Sequence, residues 1–435
     1  MDFVWAVVAA AAAVLASWAL SALVWRPRAI ARQLRAQGVG GPGYRFLAGN
    51  LGEIKRLRAA IAGAALDVGS HDLVPMVQPH MRKWIPLHGR TFLYWFGARP
   101  TLCVADVSMV SQVLLERTGL YPKNTGNPHI ARLLGRGLVF ADGDEWKRHR
   151  KVVHPAFNMD KLKVMTATMS DCAGSIMSEW KAKVGEGGGA AEIELSGQFE
   201  ELTADVISHT AFGASYREGK RVFLAQRELL FLAFSTVFNV QIRAFRYLPT
   251  QKNLKIWKLD KEVRGMLTNI IKSRLADKDT MGYGNDLLGL MLEACTPEEH
   301  GHEPLLSMDE IIDECLDLEV GGITVPKGTV LTIPIASIHR DKEVWGEDAH
   351  EFNPLRFENG VTRAANHPNA FLSFSGGPRS CIGQNFAMIE AKIVIVMILQ
   401  RFSFFLSPKY VHAPMDVITL RPKFGLPMVL KSLEM

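Results

Sequence analysis

Residues 374–383 read Phe-Ser-Gly-Gly-Pro-Arg-Ser-Cys-Ile-Gly, and no other stretch constrains the chain as tightly. The decapeptide sets Cys381 in a Gly/Pro-rich loop directly before Gln384–Phe402. There Phe386, Ile389, Ile393, Val396 and Met397 recur at helical spacing, so Cys381 is predicted to sit at a helix start. A thiolate at that position, with Arg379 two residues before it, is stabilised by the helix dipole and by backbone N–H groups. It is then a soft anionic metal ligand. On haem iron, a single thiolate pushes electron density toward bound dioxygen and favours O–O cleavage. A lone cysteine is more often a small buried hydrophobe. Four further fixed residues of the loop, Phe374, Gly377, Arg379 and Gly383, argue for the ligand.

The chain has 435 residues, 48% hydrophobic and 22% charged, enough for a large core. Its net charge of +6 permits docking to an acidic partner or an anionic membrane surface. Basic residues are not clustered with interleaved aromatics, so no nucleic-acid partner is expected. Five scattered cysteines (Cys103, Cys172, Cys295, Cys315, Cys381) offer neither a disulfide framework nor C-x-x-C metal spacing, which suits a reducing compartment. His149 and His154 are five apart and lack zinc spacing. His339-Arg340-Asp341 imitates a kinase catalytic loop, but Gly346 stands where the asparagine belongs.

From Phe3 to Trp25 the chain carries no charge, long enough to span a bilayer. Arg26, Arg28, Arg32 and Arg35 follow it, and Asp2 is the one charge before it. The positive-inside rule puts the bulk of the chain in the cytosol. Residues 1–25 are therefore expected to be a single-pass anchor rather than a cleaved leader, contacting membrane lipid. Residues 26–50 are expected to be a basic and Gly/Pro-rich hinge, and 51–435 the main domain. Gly38, Gly40 and Gly43 have G-x-G-x-x-G spacing, but no strand precedes them and Pro42 interrupts the turn.

Residues from about 102 to 316 read as mostly helical. Asp142 and Asp144 can cap a helix ending near Pro155. Arg227–Val240 is apolar nearly all round, and Lys255–Leu275 is a charged amphipathic helix. Ile323 to Pro334 reads as a hairpin turning at Pro326-Lys327-Gly328. Trp146 and Arg150 lie four apart on one helical face, where an indole N–H and a guanidinium can grip one carboxylate.

Together, Trp146–Arg150, Phe352-Asn-Pro-Leu-Arg-Phe357 and Phe374–Gly383 resemble the cytochrome P450 family of haem-thiolate monooxygenases. Asp144–Asn158 is similar to the clan of plant fatty-acid and hormone-inactivating hydroxylases. The resemblance implies a mainly α fold with small β-sheets and one N-terminal transmembrane helix, placed in the endoplasmic reticulum membrane with the catalytic domain toward the cytosol. It also implies haem b (iron-protoporphyrin IX), held by Cys381 as axial ligand. Trp146, Arg150 and Arg379 would be propionate partners, Phe374 would line the cofactor, and Arg356 would brace the proximal side. Electrons would come from NADPH through NADPH–cytochrome P450 reductase. One oxygen atom would enter an apolar small molecule, a fatty acid or a terpenoid-like hormone.

The sequence departs from that pattern at one place. The family's oxygen-activating helix and its Glu-x-x-Arg helix should lie between residues resembling Ser307–Cys315 and the strand at Gly321-Gly322, and only Leu316 to Val320 stand there. Val320-Gly-Gly-Ile-Thr324 mimics the oxygen groove but lacks its acid. An internal deletion between 315 and 321 is therefore expected, leaving Arg356 without a carboxylate at a cost of about 3–5 kcal/mol. Two other readings follow: a non-catalytic, poorly haem-binding splice remnant, and a reductase-independent haem-thiolate isomerase or dehydratase.

Overall fold

A computed structural model describes residues 2–117, 119–123, 137–213, 216–238, 247–276, 282, 284, 286–294, 318–417 and 419–433. The chain begins with α1 (Asp2–Leu20), a π-helical turn (Ser21–Trp25) and α2 (Arg26–Ala36). Then come α3 (Leu51–Ala60), α4 (Pro79–His88), β1 (Thr91–Phe96), β2 (Arg99–Val104) and α5 (Val107–Leu115). A helical stretch follows: α6 (Gly143–Val153), α7 (Met159–Glu186), β3 (Ala190–Glu194), α8 (Leu195–Phe212), α9 (Tyr216–Phe234), α10 (Gln251–Ala276) and α11 (Leu287–Ala294). The last part holds β4 (Leu318–Val320), β5 (Ile323–Val325), β6 (Val330–Thr332) and α12 (Gln384–Arg401). It closes with β7 (Phe402–Leu406), β8 (Pro414–Val417), β9 (Thr419–Pro422) and β10 (Pro427–Ser432). Helix dominates and the sheets are small.

Two compact units share the chain. The first comprises 1–124, 238–242 and 305–380. Its sheet has the order β1-β2-β6, with β1 antiparallel to β2 (Thr91↔Val104 to Phe96↔Arg99) and β6 parallel to β2. The apolar run of β1 and β2 explains its burial: Phe92, Leu102, Cys103 and Val104 are fully enclosed. Residues 40–50 lie along β1, where Leu93 N–H donates to Gly40 O and Asn50 N–H to Trp95 O, both at 2.8 Å.

The π-helical turn joins α1 to α2, and among the described residues one continuous helical segment, Phe3–Ala36, is long and apolar enough to cross a membrane. Its last turns pack inward: Ile30 and Leu34 join the core formed with Leu102, Val104 and Val110. Gln37 fixes the register of that packing. Its Nε2 donates to Thr324 O at 3.0 Å and its Oε1 accepts from Thr324 N–H at 2.7 Å.

The expected hairpin lies elsewhere. β5 pairs with β4 (Leu318↔Val325, Val320↔Ile323), and the turn is Gly321-Gly322. Both glycines are left-handed, at φ 55° and 75°, which is the two-residue turn that suits antiparallel strands. Pro326-Lys327-Gly328 instead carries the chain to β6 and the other sheet. Two adjacent glycines can do what Pro-Lys-Gly cannot, since the proline is confined to negative φ. Residues 315–317, like the Ser307–Cys315 stretch and residues 239–240, lie outside the described residues.

The second unit comprises 125–237, 243–304 and 381–435. Its sheet has the order β3-β10-β7, all antiparallel. α7 and α12 enclose Met169, Ala173, Trp180, Val394 and Ile398 together with Val206 of α8 and Leu430 of β10. Trp180 is fully buried, and its indole N–H donates to Gln198 Oε1 at 2.9 Å. Within the expected apolar span, Leu229 and Ala233 are buried while Phe231 stays 56% exposed.

Candidate functional site

Leading to Cys381 is a 3-10 turn, Gly377–Arg379. Gly377 has φ +68°, and a Cβ there would stand 1.9 Å from Leu114 O, so no other residue fits against the end of α5. The chain then passes into α12 at Gln384, with Gly383 at the N-cap position and no side chain capping it. The first N–H groups of α12 are therefore not taken by a capping side chain. Ala387 N–H donates back to Gly383 O at 3.0 Å.

Three cysteines fall among the described residues, and they differ sharply. Cys103 is buried, and burial pushes its thiol up to about 12. Cys172 is partly buried and is pushed up to about 11, by burial first and then by the carboxylates of Asp205, Asp171 and Glu390. Cys381 is exposed. A sulfur that must meet a metal has to be reachable, and of the three Cys381 is the one that is exposed.

Trp146 and Arg150 are half-buried on α6, on one face as their spacing predicts. A 3-10 turn, His154–Phe157, ends that helix, and a Cβ on Gly383 would meet Phe157 Cε1 at 3.7 Å and Cys381 Sγ at 4.0 Å. The segment following the Trp-x-x-x-Arg helix thus packs beside the cysteine, all within the second unit. Phe374 and Arg379, both half-buried, belong to the first unit, and the loop passes from one unit to the other at Ser380–Cys381.

Arg356 departs from expectation. It does have a carboxylate: Asp348 Oδ1 accepts from its Nη2 at 2.7 Å. Nη2 also donates to Asp348 O at 3.0 Å, Nη1 donates to Trp345 O, and the guanidinium lies over the Trp345 ring. The expected penalty for an orphaned buried charge does not arise, because a neighbouring loop supplies the partner locally. Asn353 and Arg356 hold the Asp348 carboxyl below its usual range.

One residue of the region was not anticipated. Glu390 of α12 is 8% exposed, its Oε1 has no hydrogen-bond partner among the described residues, and burial pushes its carboxyl up to about 7. The signal was present in the sequence: Glu390 is four residues from both Phe386 and Val394, on the stripe that turns inward.

The family profile for cytochrome P450 matches residues 58–323 and 313–427. This chain belongs to the cytochrome P450 family. Cytochrome P450 709B1 of Arabidopsis thaliana is 38% identical over 496 aligned positions, covering 95% of each chain. Cytochrome P450 734A6 of Oryza sativa subsp. japonica is 34% identical over 503 positions, covering 95% of this chain and 93% of its own. The fold also matches that of the cytochrome P450DA heme domain, with a TM-score of 0.64 at 19% identity, covering 83% of this chain and 93% of that one. Both alignments to plant P450s are longer than the 435 residues of this chain, and the profile match breaks in two at residues 313–323. Haem b is the family's cofactor, and its members are haem-thiolate monooxygenases. The donor chemistry of this chain fits it: an exposed cysteine sulfur opens a long helix, and a glycine stands beside it.

Proposed function

We propose that the chain is a membrane-anchored plant P450 whose Cys381 is the axial ligand of haem b. The reading rests on Cys381, the one exposed cysteine among the described residues, just ahead of α12. Bound haem would supply oxygen activation and insertion. Trp146, Arg150 and Arg379 would hold its propionates through an indole N–H and two guanidiniums, and Phe374 would cover the cofactor's edge. The substrate class is an apolar small molecule, a fatty acid or a terpenoid-like hormone, hydroxylated with electrons from NADPH–cytochrome P450 reductase.

Residues 1–25 would anchor the protein in the endoplasmic reticulum membrane, 26–50 would link it, and 51–435 would form the haem domain facing the cytosol. The basic residues after the apolar run support that orientation.

A second reading concerns turnover. The profile break at 313–323 and the aligned lengths beyond 435 favour an internal block missing between 315 and 321. Leu318–Val320 is already strand, so the stretch after Cys315 is too short for the oxygen-activating and Glu-x-x-Arg helices. A chain of this kind would bind haem and turn over poorly.

Ferrous protein with carbon monoxide should give the red-shifted haem-thiolate band, and Cys381→Ser should abolish it. An unchanged spectrum in that variant would overturn the assignment. NADPH-dependent product with added reductase would remove the second reading. Turnover of a fatty hydroperoxide without reductase would replace it with an isomerase or dehydratase.

A further inference from the structure

A cavity of about 380 Å³ opens in the first unit beside the His339-Arg340 turn and the segment from Trp345 to Phe357. That volume lies within the range of small-molecule sites, and the cavity uses no residue of the second unit. Its wall is a set of interlocked rings. His339 and Phe371 stack with centroids 5.7 Å apart and planes 16° from parallel. Phe357 meets Phe371 edge-on at 5.5 Å, and Trp345 meets His339 edge-on at 5.9 Å. His339 belongs to this apolar wall: burial pushes its imidazole down to about 4, and its Nε2 accepts from Leu372 N–H at 2.9 Å.

Two guanidiniums interrupt the rings. Arg356 is committed to Asp348 and to two carbonyls. Arg340 is half-buried and its side chain donates through Nη1 to Ala349 O at 3.0 Å, the one hydrogen bond that side chain makes among the described residues. A guanidinium has five N–H donors, so most of the fork remains available to a ligand. Burial disfavours the charged form of Arg340; Asp72 opposes this from a distance, and the like charge of Arg356 adds a smaller penalty. An anion in the cavity would relieve the burial. No acid makes a hydrogen bond to the Arg340 side chain among the described residues. Asp72 attracts Arg340 through space but sits 3.7 Å from Arg82, and Glu351, in the lining, is exposed to solvent.

We propose that this cavity binds a planar aromatic carboxylate, its ring packed against His339, Phe357 and Phe371 and its carboxylate held by the Arg340 fork. A carboxylate matches the fork's two parallel donors, whereas a phosphate would bring a larger hydrated charge against apolar rings. Offset and edge-on ring contacts favour an aromatic body over an aliphatic one.

The test uses the full chain in lipid nanodiscs, with 2-naphthoate and its uncharged analogue 2-naphthamide as probes, read by saturation-transfer NMR. The acid should saturate the wild type. The amide, and the acid with Arg340→Leu, should bind at least about tenfold more weakly, the loss expected for a charge-assisted hydrogen bond. Equal binding of acid and amide overturns the proposal, as does no binding of the acid, or undiminished binding by an Arg340→Leu protein whose melting is normal. If that variant does not fold, the acid and amide comparison on the wild type decides alone.

Discussion

Arg356 in the first unit and Glu390 in the second are both nearly enclosed, with 13% and 8% exposure, and they have opposite fates. Arg356 remains an ion because a carboxylate, two carbonyls and an indole face surround it. Glu390 has an oxygen with no partner, and burial raises its carboxyl toward neutrality. An arginine cannot escape burial by losing its proton, so the fold has to supply acceptors; a glutamate can, and there it takes one up. The contrast teaches where each region is brittle. Around Arg356 the structure depends on geometry; around Glu390 it depends on pH.

Removing Arg356 should give the largest effect. Arg356→Ala leaves Trp345 O and Asp348 O without their charged donor, a loss of about 2–4 kcal/mol in stability. Arg356→Lys should recover part of it, since an ammonium cannot span all three acceptors with a fixed fork. Thermal melting measures both. A Lys variant as stable as wild type would mean that the planar geometry is irrelevant and only the charge counts.

Glu390→Gln should act more weakly and in the opposite sense. The folded carboxyl titrates near 7 and the unfolded one near its ordinary value of 4.5. Below that lower value both forms are protonated. As pH rises toward 7 the unfolded chain releases its proton first, so the wild type loses stability across this window. Glutamine does not titrate. The variant should match the wild type near pH 4.5 and exceed it by about 2 kcal/mol above pH 7, part of the shift being screened by solvent. A gap that does not grow with pH would show that Glu390 is ionised in the fold.

The same contrast separates what was legible in the sequence from what was not. Helices read well where apolar spacing is regular: α10 spans Gln251–Ala276 and α12 spans Gln384–Arg401, close to the stretches their periodicity marks. The helix start just after Cys381 also read well, because the Gly/Pro-rich loop ends where the apolar spacing of α12 begins. Local pairing did not. Pro326-Lys327-Gly328 has good turn chemistry, but whether β5 meets β4 or β6 depends on where β2 lies, which no short window contains. The partner of Arg356 was missed for a different reason. The family pattern directed attention to a distant Glu-x-x-Arg helix, while Asp348 stood only eight residues away.

Asp348→Asn should give the smallest change and is the sharpest test of that account. The carboxylate accepts from Arg356 Nη2 at 2.7 Å and Asn353 Nδ2 at 2.9 Å, but its side chain is 42% exposed, so solvent screens the pair. Arg356 would still hold both carbonyls in the variant. The melting temperature should fall only slightly at neutral pH. The sign with pH is fixed by the lowered folded carboxyl: its contribution is present above the ordinary value of 3.8 and disappears as the pH falls through the lower folded value. Wild type and variant should therefore converge in acid, as the Glu390 pair does, but with the opposite sign above it: here the wild type is the more stable, there the variant. If Asp348→Asn costs as much as Arg356→Ala, the ion pair rather than the carbonyl clamp holds this region together, and the distinction between a geometric and a pH-dependent unit fails.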